Sequence, residues 1–587
     1  MRTVRAIVRV LVWPFAVACT GSIEEPAGDS TRGGSQSAAS GGGPNAAGGT
    51  AAPSGGASST GGSTASQSGS PGSGGGAGAS HMPEPTASGD LPYTAAQPAA
   101  AALPARVWRL SHAEYQQSVK ALLGVDVSVA DFPGDIDSGI YTNMSGTNFV
   151  RVDGAAAYSD VATTLTDALT AAQLNALIPC GNTSPGCKTE FLNSVIAKAF
   201  RRPTRTEDVE RYAAVFDAAV PSGDAALPYR SVLSALLTSP FFLYRTEVGD
   251  IGQAPTPSFK LTGHEVASFL SYSLLGTPPS SELLAAAQRG DLTDATKLGG
   301  IVPGLLEQPA AATQLATFLF QWIKLQNFDD VTKFEESFPG FASVRGAMLT
   351  EARTFLAQSG VNNTLSGLLT APVTATGALD RFYRSEPSAT AGAQHTGILG
   401  LGATLSLYGK AERSSPTLRG VFVRERLLCQ HISLPPIQVP DISDTAERSQ
   451  PKTTRELYEM HAKDPTCSGC HKLLDPIGFT LEQLDGAGRF RTTENGVNVN
   501  STGDLVNTDV NGVYRSQAEL AQALARSQWV RECVARQAFR FYFGQVESDR
   551  GVPPVAAGFR ALDQNGKLKD LLSALLTTPS SFDRTRG

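Results

Sequence analysis

Two thiols and an imidazole stand within five positions of one another at Cys467-Ser-Gly-Cys470-His471. Thiols three residues apart on a helix lie one turn apart. At that separation both can form thioethers to the two vinyl groups of one porphyrin, and the adjacent imidazole then sits under the iron as its proximal ligand. This C-x-x-C-H pattern predicts one covalent haem c held by Cys467, Cys470 and His471. Three other chemistries compete for the same residues. Structural zinc needs four ligands, usually from a second Cys or His pair, but only His461 lies nearby and no second C-x-x-C occurs. A thioredoxin-like pair wants a βαβ setting, whereas a helix is expected before this motif. A plain disulfide between Cys467 and Cys470 leaves His471 unexplained.

The groups around the motif have roles to fill. A proximal histidine hands its second ring nitrogen to a carbonyl or carboxylate, and a carbonyl near Pro476 and the side chain of Asp475 are both candidates. Arg489 and Arg491 are candidates for haem propionates, since a guanidinium binds a carboxylate bidentately; the bland alternative is a surface arginine pair on a strand. The sixth iron ligand decides between electron transfer and an open, reactive iron. His461, six residues before Cys467, is the first choice. Met460, Met144, His395, His431 and an empty position remain as alternatives.

The elements that position these residues read as helices. Capping boxes, in which a Ser or Thr side chain and a Glu three residues on satisfy free amides, begin at Ser111, Thr262, Thr453 and Ser516. Apolar residues follow each at helical spacing, and Gly124 and Gly276 stop the first two. Phe490 to Asn500 reads as a β-hairpin with Asn495-Gly496 as a type I′ turn. Val232 to Phe241 is echoed from Leu572 to Pro579, each an amphipathic stretch ended by proline. Cys180 and Cys187 flank a short turn-rich loop and are expected to bridge. Cys429 and Cys533 are left over, as a long-range disulfide or as two buried thiols. His264-Glu265 starts like H-E-x-x-H without its second histidine, and Gly400-Leu-Gly402 lacks the third glycine of a dinucleotide fingerprint.

Beyond the motif the chain runs Asp475-Pro476-Ile-Gly478-Phe479, then Glu482, Asp485, Gly488-Arg489-Phe490-Arg491. With His461 ahead of it, this resembles the planctomycete-type cytochrome-c-like surface proteins, multidomain secreted chains with the pattern H…C-x-x-C-H…D-P-x-G-F…E…D…G-R-x-R. The resemblance extends to Arg109-Leu-Ser-His-Ala-Glu-Tyr115, Ala199-Phe-Arg-Arg-Pro203, Ser239-Pro-Phe-Phe-Leu-Tyr-Arg245, Leu274-Leu-Gly-Thr-Pro-Pro279 and Ser415-Pro-Thr-Leu-Arg-Gly420. It implies several domains of unknown function stacked around one cytochrome-like segment.

The front of the chain is of another kind. A basic start and a short apolar run over residues 1–18 read as a signal peptide, with Val17-Ala18 making Cys19 a candidate lipidation site. From Thr20 to about Pro98 the composition is Gly, Ser, Ala, Thr and Pro, which cannot bury enough surface to offset ordering entropy. As a coil of about 80 residues it reaches roughly 50 Å, a tether between a lipid and a folded body. Lys plus Arg total 48 and Asp plus Glu 54, a net charge of −6, which argues against nucleic-acid binding. No apolar run is long enough to span a membrane.

These readings predict a mainly α chain: several helical domains plus a small cytochrome-c-like segment followed by a β-hairpin. The divisions expected are a leader at 1–18, a lipid-anchored linker at 19–103, and helical domains at 104–180, 181–250 and 258–385. A haem-bearing domain at 386–500, with its haem segment at about 453–500, and a C-terminal helical domain at 501–587 follow. The function expected is extracytoplasmic electron transfer, at the periplasm or cell surface, to or from an unidentified redox partner. The membrane is touched only through a lipid. A haem-dependent oxidase or peroxidase, and a surface scaffold with a structural C-x-x-C-H segment, are the alternatives.

Overall fold

Hydroxyl caps start the helices where the sequence places them. In the computed structural model Ser111 accepts from the Glu114 amide at 3.3 Å while the Glu114 carboxylate accepts from the Ser111 amide at 2.8 Å, opening His112–Leu123. Thr262 and Glu265 do the same for Gly263–Leu275. Thr453 and Ser516 cap Thr454–His461 and Gln517–Arg526, but there the third-position glutamates reach one residue further back, to the amides of Lys452 and Arg515. Gly124 and Gly276 end their helices in the left-handed region, which costs a residue without Cβ little.

The structure describes residues 102–586 except 131, 137–140, 251, 253–255, 363, 385–394, 433–451 and 548–552. The expected leader, Cys19 and nearly all of the 19–103 linker therefore lie outside the described residues. Those described belong to one unit and are mainly α-helical, with short strands at the edges. None of their helices is long and apolar enough to cross a membrane.

Two apolar cores organise them. The first joins helices His112–Leu123, Val152–Ala168, Lys188–Phe200, Thr206–Ala219 and Leu227–Leu237. Tyr115 touches Tyr158 and Phe242 ring to ring, so the segments expected at 104–180 and 181–250 share one interior. The second core takes in Leu103, Trp108, Tyr141 and Met144 together with residues from Leu261 to the C-terminal helices. Phe269 packs against both Phe543 and Phe582 there. Helical faces in this chain are satisfied across the expected boundaries, which is why five sequence segments fill two interiors. Cys180–Cys187 forms the local disulfide, and Cys429–Cys533 pairs across a sequence separation of 104.

The internal echo extends further than the helices. Leu227–Leu237 and Leu568–Thr577 are each followed by a proline-started turn and a short strand, Tyr244–Glu247 and Asp583–Thr585. Pro240, Arg245 and Thr246 recur at identical spacing as Pro579, Arg584 and Thr585. Arg245 pairs with Glu114 and lies 3.7 Å from the Trp108 ring centroid. Arg584, wholly buried, pairs with Glu247, which also takes Arg106. Burial pushes the Glu247 carboxyl up, but its two arginines more than offset this and hold it below the usual range.

Candidate functional site

The C-x-x-C-H segment lies within a helix, Pro465–Phe479. Cys467 and Cys470 are both free thiols, the first buried and the second exposed. Positions 467, 470 and 471 fall on one side of a helix with 3.6 residues per turn. His471 places Nδ1 2.7 Å from Asp475 Oδ2, one turn along the same helix. Of the two partners open to it, the carboxylate rather than a carbonyl near Pro476 holds the ring. Asp475 is 3% exposed, and its other oxygen accepts from the Thr417 hydroxyl at 2.6 Å.

Thr417 arrives on a second helix, Pro416–Val421, which crosses the motif helix very closely. Two glycines permit this: a Cβ on Gly478 would run into the Pro416 backbone, and one on Gly420 into that of Leu474. Polar groups then fix the crossing. Arg419 donates to Glu482 and to the carbonyls of Leu481 and Asp485. Ser414 donates to Glu482 at 2.7 Å, and Tyr458 to Ser415 at 3.0 Å. Burial pushes the Glu482 carboxyl up even with Arg419 and Arg491 beside it. The crossing helix continues as a π-helical stretch, Phe422–Leu427, whose Arg424 donates to the Leu473 carbonyl of the motif helix.

Among the candidates for a second axial ligand, His461 is the one whose ring meets His471, with centroids 4.9 Å apart at 72°. Rings touching edge to face leave no space for a porphyrin between them; a metal held by both requires them to part. His395 instead bonds the Gly488 carbonyl at 2.7 Å and stacks on Tyr383. Met144 is buried in the second core, and His431 is exposed.

Arg489 and Arg491, considered above for propionates, are both engaged by the protein's own carboxylates. Arg489 pairs with Asp485 at 2.6 Å, and Arg491 with Glu482 at 2.8 Å and Glu494 at 2.7 Å. They line a cavity of about 610 Å³ together with Arg413 and Glu412, and none of Cys467, Cys470, His471 or His461 lines it. In this structure Arg489 and Arg491 anchor the loop after the motif helix and its hairpin. That hairpin pairs Thr493–Glu494 with Val497–Asn498 through Asn495 and Gly496, both at positive φ, as a type I′ turn requires. Glu265, the decoy of the broken H-E-x-x-H, serves as a cap, its carboxylate accepting from the amides of Thr262, Val248 and Gly249.

The donor set fits a covalently held haem: two free thiols one turn apart and an imidazole with one nitrogen already committed, leaving Nε2 for a metal. No cluster of three or more His, Cys, Asp or Glu suited to a metal occurs among the described residues. Sequence reasoning missed Thr417 and Tyr458 as parts of this site. The available signal was glycine inside two helical stretches, at 420 and 478, a mark of close backbone approach.

Four families of unknown function match the chain in succession. Residues 108–171 are similar to PSD3 (DUF1587), 187–247 to PSD5 (DUF1595), 261–384 to PSD4 (DUF1592), and 395–494 to PSCyt3 (DUF1588). The last match contains the whole of Cys467–His471. No curated protein and no solved structure matches the chain. Covering more than half of its length, these four domains support its place among the planctomycete-type cytochrome-c-like multidomain proteins.

Proposed function

We propose that this chain is a surface-tethered, extracytoplasmic monohaem c-type protein that passes electrons to or from a redox partner outside the cytoplasm. The contact between His471 Nδ1 and Asp475 carries the reading, because it commits one ring nitrogen and leaves the other for iron. Cys467 and Cys470 would hold the group by thioethers and His471 would ligate it from below. When bound, haem c supplies a reversible one-electron iron couple. His461 packs on His471 and would be displaced from that contact or recruited as the second ligand. The basic, apolar leader, Cys19 and the Gly/Ser-rich stretch support a lipid tether, and two disulfides fit an oxidising compartment.

A pyridine haemochrome spectrum of denatured protein, matured in a host with c-type haem assembly, tests this. A c-type band lost in Cys467→Ala/Cys470→Ala is expected. No band in the wild type overturns the reading and leaves a tethered helical scaffold. One feature favours a second reading, a haem oxidase or peroxidase: the partner of His471 is a carboxylate, which makes a ligand more basic than a carbonyl does. A high-spin, cyanide-binding ferric spectrum would select it over electron transfer.

A further inference from the structure

We infer that Asp475 and Thr417 together grade the donor strength of His471, Asp475 raising it and Thr417 holding it back. This rests on the haem reading above. At 2.7 Å the Asp475–Nδ1 contact is in the range of charge-assisted hydrogen bonds. A buried carboxylate there draws the Nδ1 proton and enriches Nε2 in electron density, which favours the higher oxidation state of a bound metal. Asp475 is therefore a positioning residue with an electronic consequence.

Thr417 acts on the other oxygen. Its hydroxyl donates to Asp475 Oδ1 at 2.6 Å and lies 3.4 Å from Nδ1, so the carboxylate is its principal partner. A hydrogen bond to a carboxylate stabilises its charge and weakens it as an acceptor elsewhere. Thr417 has little freedom to leave. Ser415 caps its helix and meets Tyr458, Arg419 is pinned on Glu482, and Gly420 lies against the Leu474 backbone.

The two residues therefore carry opposite signs. In the full chain matured with haem, spectroscopic redox titration of Asp475→Asn is expected to give a midpoint potential above the wild type. Thr417→Val is expected to fall below it, and Thr417→Ser, which keeps the hydroxyl, to match it. Circular-dichroism melts identify any variant that fails to fold, and the Thr417 pair tests the inference without touching Asp475. An unshifted Asp475→Asn overturns it, as does a shift of Asp475→Asn and Thr417→Val in the same direction, the mark of loosened packing alone. A wild type with no haemochrome band overturns the haem reading itself, a result distinct from a haem-bearing protein with insensitive potentials.

Discussion

Arg419 donates to Glu482 across 3.0 Å, each side chain only 2% exposed. This contact pins the helix that carries Thr417 to the turn that follows the C-x-x-C-H helix. Arg491 approaches the same carboxylate from the hairpin side at 2.8 Å. Two arginines on one buried carboxylate hold three chain segments around His471 without either thiol taking part.

Removing Arg419 takes from Glu482 one of its two arginines, leaves Arg491 as the other, and strands the carbonyls of Leu481 and Asp485. Arg419→Met is expected to lower the unfolding free energy by about 1–3 kcal/mol, read from urea denaturation. Arg419→Met/Glu482→Leu should recover part of the loss, since Arg491 retains Glu494. Equal losses in the single and double variants would assign the effect to packing.

The close crossing makes a second, steric prediction. Gly478→Ala or Gly420→Ala places a methyl group against immobile backbone, of Pro416 or of Leu474. Overpacking of this kind costs about 1–3 kcal/mol. Gly469, on the same helix as Gly478, faces open space, so Gly469→Ala should instead stabilise by up to about 1 kcal/mol. Thermal unfolding of the three variants side by side distinguishes crossing geometry from helix propensity.

Glu351 predicts a dependence on pH. Burial pushes its carboxyl up to about 7, and the Tyr383 hydroxyl donates to it at 2.8 Å. Its value in the unfolded chain is about 4.3, so the folded state favours the protonated form. The stabilisation from this group is complete below about pH 4 and is lost as pH rises through 7. Relative to Glu351→Gln, the wild type should therefore lose melting temperature between pH 5 and pH 8. A constant difference across that window would contradict the assignment.

The disulfides should differ in worth. On chain-entropy grounds a bridge closing a loop of about 100 residues contributes about 4.7 kcal/mol and one closing a loop of a few residues about 2 kcal/mol. Removal of Cys429–Cys533, with its separation of 104, should cost more than removal of Cys180–Cys187, with its separation of 7. Denaturation of Cys429→Ala/Cys533→Ala against Cys180→Ala/Cys187→Ala reads the order directly.

Local chemistry was legible from the residues alone. Ser111, Thr262, Thr453 and Ser516 announce helix starts because a cap needs only its own next three residues, and Asn495-Gly496 announces its turn because two positive φ angles in succession need such residues. Cys467, Cys470 and His471 share a helical face for the same reason, their relation being set by rise and turn over five positions. Long-range partners were not legible. Whether Arg491 meets a propionate or Glu482, and whether His471 is held by a carbonyl or by Asp475, depends on which side chains a fold carries into reach. Thr417 precedes Asp475 by 58 positions and has no periodicity linking it to that residue. The sequence by itself determined the caps, the hairpin turn, the helical class and the donor set of the motif, all contacts within a few residues. Only the tertiary structure decided that Gly420 and Gly478 let two helices close on each other, and thereby that Thr417 and Asp475 stand behind His471. Contacts between distant segments are chosen by packing of the whole interior, not by any local pattern.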